Sequence, residues 1–297
     1  MHLLPFLPSP TLHKSFKHQS HNQLPRCNFK TLKSSLSPPQ PSRRAFLSAL
    51  SLLPVALLPA TPSTSQARCL PERAAKQVLH HPNYPDHWPY TAADFRRFDE
   101  TSDDQFYASP RITRHIDRAA VDSLRAFYQT TLLPGKSDVL DLCSSVESYM
   151  PTNWPSRKSV TGLGMNTVEL QQNPALTAYV VRDLNKNPKL PFEDAAFDLV
   201  CCAMSIDYLT HPRQIVSEVA RVLRKHGTVA FSFSDRVFAT KAIALWMSSG
   251  DEDHIYTVAS YFHYTPSLSN VDVVDLSPRR RGSCAGDPLY VVTARRA

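Results

Sequence analysis

Residues 138–151 read DVLDLCSSVESYMP, and the order of apolar and polar residues in this segment carries most of the information about the architecture. Residues 139–142 form a short apolar run around Asp141, as expected for a buried strand. The turn that follows is Cys143-Ser144-Ser145. A nucleotide-binding strand–turn–helix unit places glycines in this turn. The segment therefore predicts one strand of a ligand-binding α/β sheet, followed by an unusual turn.

Strand and helix patterns alternate along most of the chain. The predicted strands are residues 139–142, 159–163, 178–182, 197–204, 228–232, 271–276 and 289–294. The predicted helices are residues 91–98, 118–133, 212–225, 237–248 and 253–262, and Gly227 is expected to end the helix 212–225 as its C-terminal cap. This alternation predicts an α/β fold with a doubly wound, Rossmann-like, mostly parallel sheet.

Ligands on such sheets bind outside the carboxyl ends of the strands, where the strand order reverses. This rule nominates the turns after the first five predicted strands. They are residues 141–145, 164–166, 183–185, 205–208 and 234–236.

The first 67 residues differ in composition from the rest. They hold seven of the 33 basic residues, none of the 26 acidic residues and ten of the 25 prolines. Such a segment cannot bury a core and is typical of a targeting peptide. The remaining chain has 26 basic and 26 acidic residues, so its net charge is zero and gives no reason to expect nucleic acid as a partner.

Two targeting signals are predicted in this segment. Residues 1–42 read as a plastid transit peptide, and residues 43–67 read as a twin-arginine-like thylakoid signal with an apolar stretch. A membrane anchor is the alternative, but the apolar run spans about 16 residues and contains Pro54 and Pro59, whereas a span needs roughly 20. We therefore expect no stable span after cleavage and a location in the thylakoid lumen, with the stroma or the thylakoid membrane as alternatives.

Beyond this segment, residues 68–137 are predicted to be a helical and irregular lid, and residues 138–297 the sheet domain. The five cysteines there are Cys69, Cys143, Cys201, Cys202 and Cys284, and none has the spacing of a metal site. Cys201 and Cys202 lie in a predicted strand and are expected to be buried thiols. A disulfide in an oxidising compartment is the open alternative.

Four motifs together resemble those of class I S-adenosylmethionine-dependent methyltransferases. Residues 183–185 read DLN, residues 190–194 LPFED, residues 197–200 FDLV and residues 218–223 EVARVL. With VLDLCSS at 139–145, GLGMN at 162–166 and SFSDR at 232–236, the chain resembles a plant and cyanobacterial branch of that family over roughly residues 105–297. The resemblance implies a seven-stranded sheet with an antiparallel final pair.

The resemblance also implies that S-adenosylmethionine lies across the first three strands, with Asp183 accepting a hydrogen bond from the adenine amino group. The residues expected to bind it are Asp141, Cys143, Ser144, Ser145, Gly164, Asn166, Asp183, Leu184 and Ser205. Two positions depart from the family pattern. Cys143-Ser144-Ser145 replaces glycines, and Gly164 replaces the acid that holds the ribose hydroxyls. Asn166 or Glu169 would either take over that role or cap the following helix.

Methyl transfer requires an acceptor atom aligned about 3 Å from the methyl group and a site without water. A base is needed only where the acceptor loses a proton. The predicted catalytic residues are Asp207, Tyr208 and Asp235, with His211 as a further candidate base or as part of a helix start. Arg236 and Lys241 would bind an anionic group or form a solvated face. Tyr107, Arg111 and His115 are expected on a lid over the site.

The sequence therefore predicts a chloroplast S-adenosylmethionine-dependent methyltransferase with a small-molecule or protein acceptor. The alternative is a non-catalytic descendant that serves as a binding or assembly protein in the thylakoid lumen. Repeated turnover in the lumen would need a continual supply of a charged cofactor across a membrane, so lumenal location and catalysis oppose each other. A dinucleotide oxidoreductase is disfavoured, because the G-x-G-x-x-G turn is absent. The sequence does not indicate the oligomeric state.

Overall fold

A computed structural model describes residues 69–132, 135, 137–151, 154 and 157–297. The two predicted targeting signals, residues 1–42 and 43–67, lie outside this part. No helix in the described part has both the length and the apolar character needed to cross a membrane.

Nine strands occur in the described residues. In chain order they are β1 Ser137–Leu142, β2 Arg157–Gly164, β3 Ala178–Val181, β4 Phe197–Ala203, β5 Leu223–Phe233, β6 Leu268–Asp275, β7 Arg279–Arg280, β8 Ser283–Cys284 and β9 Tyr290–Arg296. Seven of them form one sheet in the order β3-β2-β1-β4-β5-β9-β6, and β7 pairs with β8 alone. β1 to β5 run parallel, and β9 runs antiparallel to β5 and β6. The predicted fold class is confirmed.

Helices cover both faces of this sheet. They are α1 Ala74–Val78, α2 Asp103–Phe106, α3 Arg118–Phe127, α4 Thr167–Gln172, α5 Pro212–Val222, α6 Ala244–Met247 and α7 Asp251–His263. Leu140 and Val200 point to the core that contains α5 and α7, whereas their neighbours Val139 and Leu199 point to the core that contains α3. Because alternate residues of β1 and β4 are buried on opposite faces, these strands read as continuous apolar runs.

One predicted helix cap and two predicted helices were wrong. The helix 212–225 ends at Val222, and Gly227 lies within β5 instead of capping the helix. Leu223 already pairs with Phe197, and the register shifts between that pair and Leu199. A Cβ on Gly227 would lie 2.9 Å from the Arg224 carbonyl oxygen, so the glycine serves this irregular strand pairing.

The predicted helices 91–98 and 237–248 are the other two errors. Residues 92–95 form turns, and only Ala244–Met247 of the second segment is helical. The reason is a long-range contact between the two segments. Arg97 and Ile243 form a β-bridge, and the fully buried Lys241 ammonium donates to the Thr101 carbonyl at 2.6 Å. If these segments were regular helices, the backbone groups of Arg97 and Ile243 and the Lys241 ammonium would lose these partners.

The five cysteines take two roles. Cys69 and Cys284 form a disulfide with a Cα–Cα distance of 5.7 Å, which joins the start of the described chain to β8. Cys201 and Cys202 are free thiols with no exposed surface, as expected, and Cys143 is free and partly buried.

Candidate functional site

A pocket opens at the carboxyl ends of the parallel strands. The turns after β1, β2, β3 and β4 form its floor and sides, and Phe238 after β5 adds to one wall. Residues 103–117 are called the N-terminal segment below. Tyr107, Arg111 and His115 of this segment close the pocket from above. The pocket therefore lies where parallel α/β sheets bind their ligands.

Most of the predicted site residues meet at this pocket. Its lining includes Cys143, Ser144, Ser145, Gly164, Asn166, Asp183, Leu184, Ser205 and Tyr208. Asp141, Asp207 and Asp235 are not part of the lining. The roles of all twelve residues stay predictions.

Asp141 organises the turn after β1 from below. Its carboxylate is 2% exposed, and one oxygen accepts hydrogen bonds from the Ser144 and Ser148 hydroxyls, each at 2.6 Å. The Cys201 thiol lies 3.7 Å from the other oxygen. Burial raises the pKa of Asp141 to about 6, although these hydrogen bonds oppose the shift. The Ser144 and Ser148 hydroxyls therefore donate to the acidic residue just before their own turn. Glycines in this turn, which have no side chain, could not form these hydrogen bonds.

Gly164 lies directly beneath the same turn. A Cβ at this position would be 2.1 Å from the Ser144 carbonyl oxygen. The Ser144 amide donates to the Leu163 carbonyl at 2.9 Å, so the turn after β1 is hydrogen-bonded across the end of β2. No side chain fits at Gly164 in this arrangement. The structure thus explains why the chain lacks an acid here.

Asn166 and Glu169 connect α4 to its surroundings. The Asn166 side-chain oxygen accepts from the amides of Val168 and Glu169 and caps α4, and its nitrogen donates to the Tyr107 carbonyl at 2.8 Å. Glu169 is 5% exposed, and its oxygens accept from the Arg111 amide at 2.7 Å and the Ser145 hydroxyl at 2.6 Å. Both residues hold the N-terminal segment over the pocket, a contact that the sequence pattern did not predict.

Asp183 has one oxygen engaged and one available. The first oxygen accepts from the amides of Asn185 at 2.8 Å and Lys186 at 3.3 Å and fixes the turn after β3. The second oxygen has no hydrogen bond within the described residues and lies 3.9 Å from the Lys186 ammonium. Asp183 can therefore cap its turn and still accept a hydrogen bond from a ligand.

A buried ionic cluster forms the wall beside Asp183. Asp103 lies 2.7 Å from Arg97 and 3.3 Å from Lys241 and accepts a hydrogen bond from the Asn185 amide nitrogen at 2.9 Å. Burial opposes ionisation of Asp103, but the hydrogen bonds from Arg97 and Asn185 leave its pKa below the usual value. Only tertiary contact brings these residues together, because no motif links Arg97, Asp103 and Lys241 along the chain.

Aromatic rings line the side of the pocket near β4 and β5. The Tyr208 hydroxyl accepts from the Phe238 amide at 2.8 Å, and the rings of these residues lie 5.9 Å apart. The Arg111 guanidinium lies 4.1 Å from the ring centre of Phe106 and 4.9 Å from that of Phe238. Burial lowers the pKa of His115, so its imidazole is neutral at pH 7.

The other proposed acid–base and anion-binding residues lie elsewhere. Asp207 is 3% exposed, and burial raises its pKa to about 7, but it does not line the pocket. Burial also raises the pKa of Asp235. Arg236 pairs with Asp287 at 2.8 Å and Lys241 is buried in the ionic cluster, so neither forms the expected anion site.

The last base candidate, His211, occupies the N-cap position of α5. Its ring lies 2.9 Å from the Thr210 hydroxyl. This placement favours the structural alternative, a residue of the helix start, over a base in the pocket.

Part of the chain is similar to a known protein family. Residues 152–231, which contain β2 to β4 and most of β5, match a family described as "Methyltransferase domain". Comparison with curated protein sequences found no significant match.

Solved structures with a similar fold include an N-methyltransferase, NodS, from Bradyrhizobium japonicum WM9, with 15% identity and a TM-score of 0.43 over 61% of this chain and 97% of that chain. An S-adenosylmethionine-dependent methyltransferase from Mesorhizobium loti has 17% identity and a TM-score of 0.41 over 60% and 98%. The [4+2]-cyclase SpnF has 16% identity and a TM-score of 0.44 over 59% and 81%. At these identities and at TM-scores below 0.5, the similarity carries no argument about the function of this chain. Residues 152–231 are therefore similar to a methyltransferase domain and lie on a Rossmann-like sheet, and this match supports S-adenosylmethionine as the cofactor.

Proposed function

We propose that this protein is an S-adenosylmethionine-dependent methyltransferase of the class I type, acting on a small-molecule or protein acceptor in the chloroplast. The observation that carries the proposal is the available carboxylate oxygen of Asp183 in a covered pocket at the carboxyl ends of β1 to β4. That oxygen is able to accept a hydrogen bond from the adenine amino group.

The pocket residues fit the cofactor at both ends. Asp183 and the Leu184 backbone would hold the adenine. Glu169 lines the same pocket as Gly164, and each of its oxygens has one hydrogen bond and a free lone pair for a ribose hydroxyl. Ser144 and Ser145 line the methionine end with small side chains. When bound, the cofactor supplies an electrophilic methyl group.

The chain contributes alignment and the exclusion of water. Three hydrogen bonds hold the N-terminal segment over the pocket: Asn166 to Tyr107, Arg111 to Glu169 and Asn185 to Asp103. Together they shield the reacting atoms from solvent, which strengthens polar interactions inside. His115 has a neutral imidazole in the pocket wall and can accept a proton from an acceptor that must lose one. Burial raises the pKa of Tyr208, so Tyr208 stays protonated and can act as a hydrogen-bond donor.

Calorimetric titration of the full chain with S-adenosylmethionine and S-adenosylhomocysteine tests the proposal. Asp183→Asn keeps an oxygen for the turn amides but presents a donor to the adenine amino group, so we expect its dissociation constants to rise about 10- to 100-fold. Asp194→Asn is the matched control, because the Asp194 side chain is 79% exposed and is not part of the pocket lining. Failure of the wild-type chain to bind either ligand at about 1 mM, about −4 kcal/mol, would refute the proposal.

A non-catalytic binding or assembly protein is the second candidate. It is favoured by the turn after β1, where Asp141 already binds Ser144 and Ser148 and where the Ser144 carbonyl excludes any side chain at Gly164. A wild-type protein that binds neither cofactor form but folds normally would favour this candidate.

We further propose that the mature protein lies in the thylakoid lumen, with the stroma or the thylakoid membrane as alternatives. Because turnover in the lumen would need S-adenosylmethionine to be supplied across a membrane, a stromal location would fit the methyltransferase better and a lumenal location the non-catalytic candidate. The twin-arginine-like signal supports this location, and so does the disulfide between Cys69 and Cys284, because disulfides persist in oxidising compartments. Import into isolated chloroplasts tests it. Replacing Arg43 and Arg44 by Lys should leave the protein in the stroma, whereas unchanged lumenal delivery or stromal location of the wild type would contradict it.

A further inference from the structure

The Arg111 guanidinium has no counter-ion. None of the 26 acidic residues lies before residue 69, so every acidic side chain belongs to the described part of the chain. Within that part Arg111 forms no ion pair, although Arg97, Arg125 and Arg236 each do. Its Nη2 donates to the Phe106 carbonyl at 3.2 Å, and its Nε is buried without a partner.

An unpaired cation in such a place is costly unless something compensates it. Transfer of a charged donor out of water loses hydration, which only hydrogen bonds or an opposite charge recover fully. The faces of Phe106 and Phe238 stabilise the guanidinium partly, through cation–π contact at 4.1 and 4.9 Å. A ring face does not accept the in-plane hydrogen bonds of a guanidinium. The N–H groups along the edge of the Arg111 guanidinium are therefore the donors that a bound anion would satisfy.

The guanidinium lies on the side of the pocket formed after β4 and β5, which is left for an acceptor if the cofactor lies across β1 to β3. The predicted cofactor-binding residues, Ser205 apart, lie at the carboxyl ends of β1 and β2 or in the turns after β1, β2 and β3. Phe238 follows β5, and its ring centre lies 5.9 Å from that of Tyr208, which follows β4. The Arg111 side chain extends to this side of the pocket, while the Arg111 backbone N–H donates to the Glu169 carboxylate at 2.7 Å. The backbone contact fixes the position from which the side chain extends.

We propose that Arg111 binds the carboxylate of a small anionic methyl acceptor. This inference rests on the proposed function and names its substrate class. A carboxylate is favoured because its two oxygens match the planar fork of a guanidinium. Phe106 and Phe238 meet edge to face, with ring centres 5.6 Å apart, and this apolar surface beside the guanidinium favours an acceptor with an apolar group, such as an aromatic ring, next to that carboxylate. The cofactor's own methionine carboxylate has the same chemistry, and the experiment must separate the two sources.

The test uses calorimetry on the full chain with three probes: benzoate, S-adenosylhomocysteine and 5′-methylthioadenosine, which lacks the amino-acid carboxylate. Arg111→Met removes the charge, and Arg111→Lys keeps the charge without the fork. Arg114→Met is the control, because Arg114 lies in the same segment and is exposed. Benzoate is titrated with and without S-adenosylhomocysteine, so the result does not depend on cofactor binding.

We expect benzoate to bind the wild type and the Arg114→Met variant alike, and its affinity to fall at least about tenfold in Arg111→Met. Both adenosine ligands should keep their affinity. The proposal is overturned if the wild type does not bind benzoate at about 10 mM, near −3 kcal/mol. It is also overturned if Arg111→Met weakens S-adenosylhomocysteine but not 5′-methylthioadenosine, since the carboxylate would then be the cofactor's. If Arg111→Met does not fold, Arg111→Lys decides the question by the same comparison.

Discussion

Replacement of Gly164 by Ala should destabilise the protein strongly. The new methyl group would lie 2.1 Å from the Ser144 carbonyl oxygen and 3.1 Å from both the Ser144 carbonyl carbon and a Leu170 methyl group. Carbon and oxygen atoms in contact are normally about 3.3 Å apart, so the turn after β1 would have to move by about 1 Å. Two bonds oppose that movement: Ser144 N–H to Leu163 at 2.9 Å and the Ser144 hydroxyl to Asp141 at 2.6 Å.

The magnitude follows from those contacts. A strained overpacked site costs about 1–3 kcal/mol, and weakening the buried bond to a carboxylate adds about 1.5–3 kcal/mol. We therefore expect Gly164→Ala to lower the free energy of unfolding by about 3–5 kcal/mol, a large part of the total stability of a typical domain.

Urea unfolding of the full chain, followed by circular dichroism, measures the effect. Gly250→Ala is the control, because nothing lies within 4 Å of a Cβ at that position and its φ of −116° suits any residue. Both substitutions reduce the entropy of the unfolded chain equally, so their difference isolates the contact at Gly164. The control should lose less than about 1 kcal/mol. A difference between the variants below about 1 kcal/mol would refute the close approach of Ser144.

Two further predictions concern stability. Burial raises the pKa of Asp207 from 3.8 to about 7, so the unfolded chain loses this proton at lower pH than the folded one. The contribution of Asp207 to stability is then greatest below pH 4 and falls as the pH rises to about 7, in total by about 4 kcal/mol. Asp207→Asn should gain that amount relative to the wild type between pH 4 and pH 8 in urea titrations, and a constant difference would contradict the assignment. The disulfide between Cys69 and Cys284 closes a loop with a sequence separation of 215 residues, so Cys284→Ser should lower the free energy of unfolding by about 4–5 kcal/mol. Dithiothreitol should lower the melting temperature of the wild type but not of this variant, and equal responses would exclude a role for the disulfide.

The local pattern of apolar residues was sufficient to predict the elements whose buried residues recur with the period of a strand or a helix. The strand 139–142 and the helix beginning at Pro212 carry the period of their element and appear within a few residues of the predicted bounds. The helices predicted at residues 91–98 and 237–248 were wrong for the opposite reason. Their conformation depends on contacts with each other, such as Lys241 to Thr101, which no local period records.

The candidate site divides in the same way. The rule for strand ends nominated Ser145, Gly164 and Asp183, and the structure brings these residues to one pocket. The orientation of Asp141 could not be predicted, because it depends on the hydroxyls of Ser144 and Ser148 folding back beneath the turn.

The amino-acid sequence alone specifies a doubly wound sheet and the edge at which it binds ligands, since alternating burial and strand-end turns are local consequences of residue order. The segment 138–151 and its glycine-free turn belong to that information. The packing of Ser144 over Gly164 and the contact of Arg111 with Phe238 join residues that are distant along the chain. Such contacts depend on which surfaces meet when the core closes, and only the folded structure determines them.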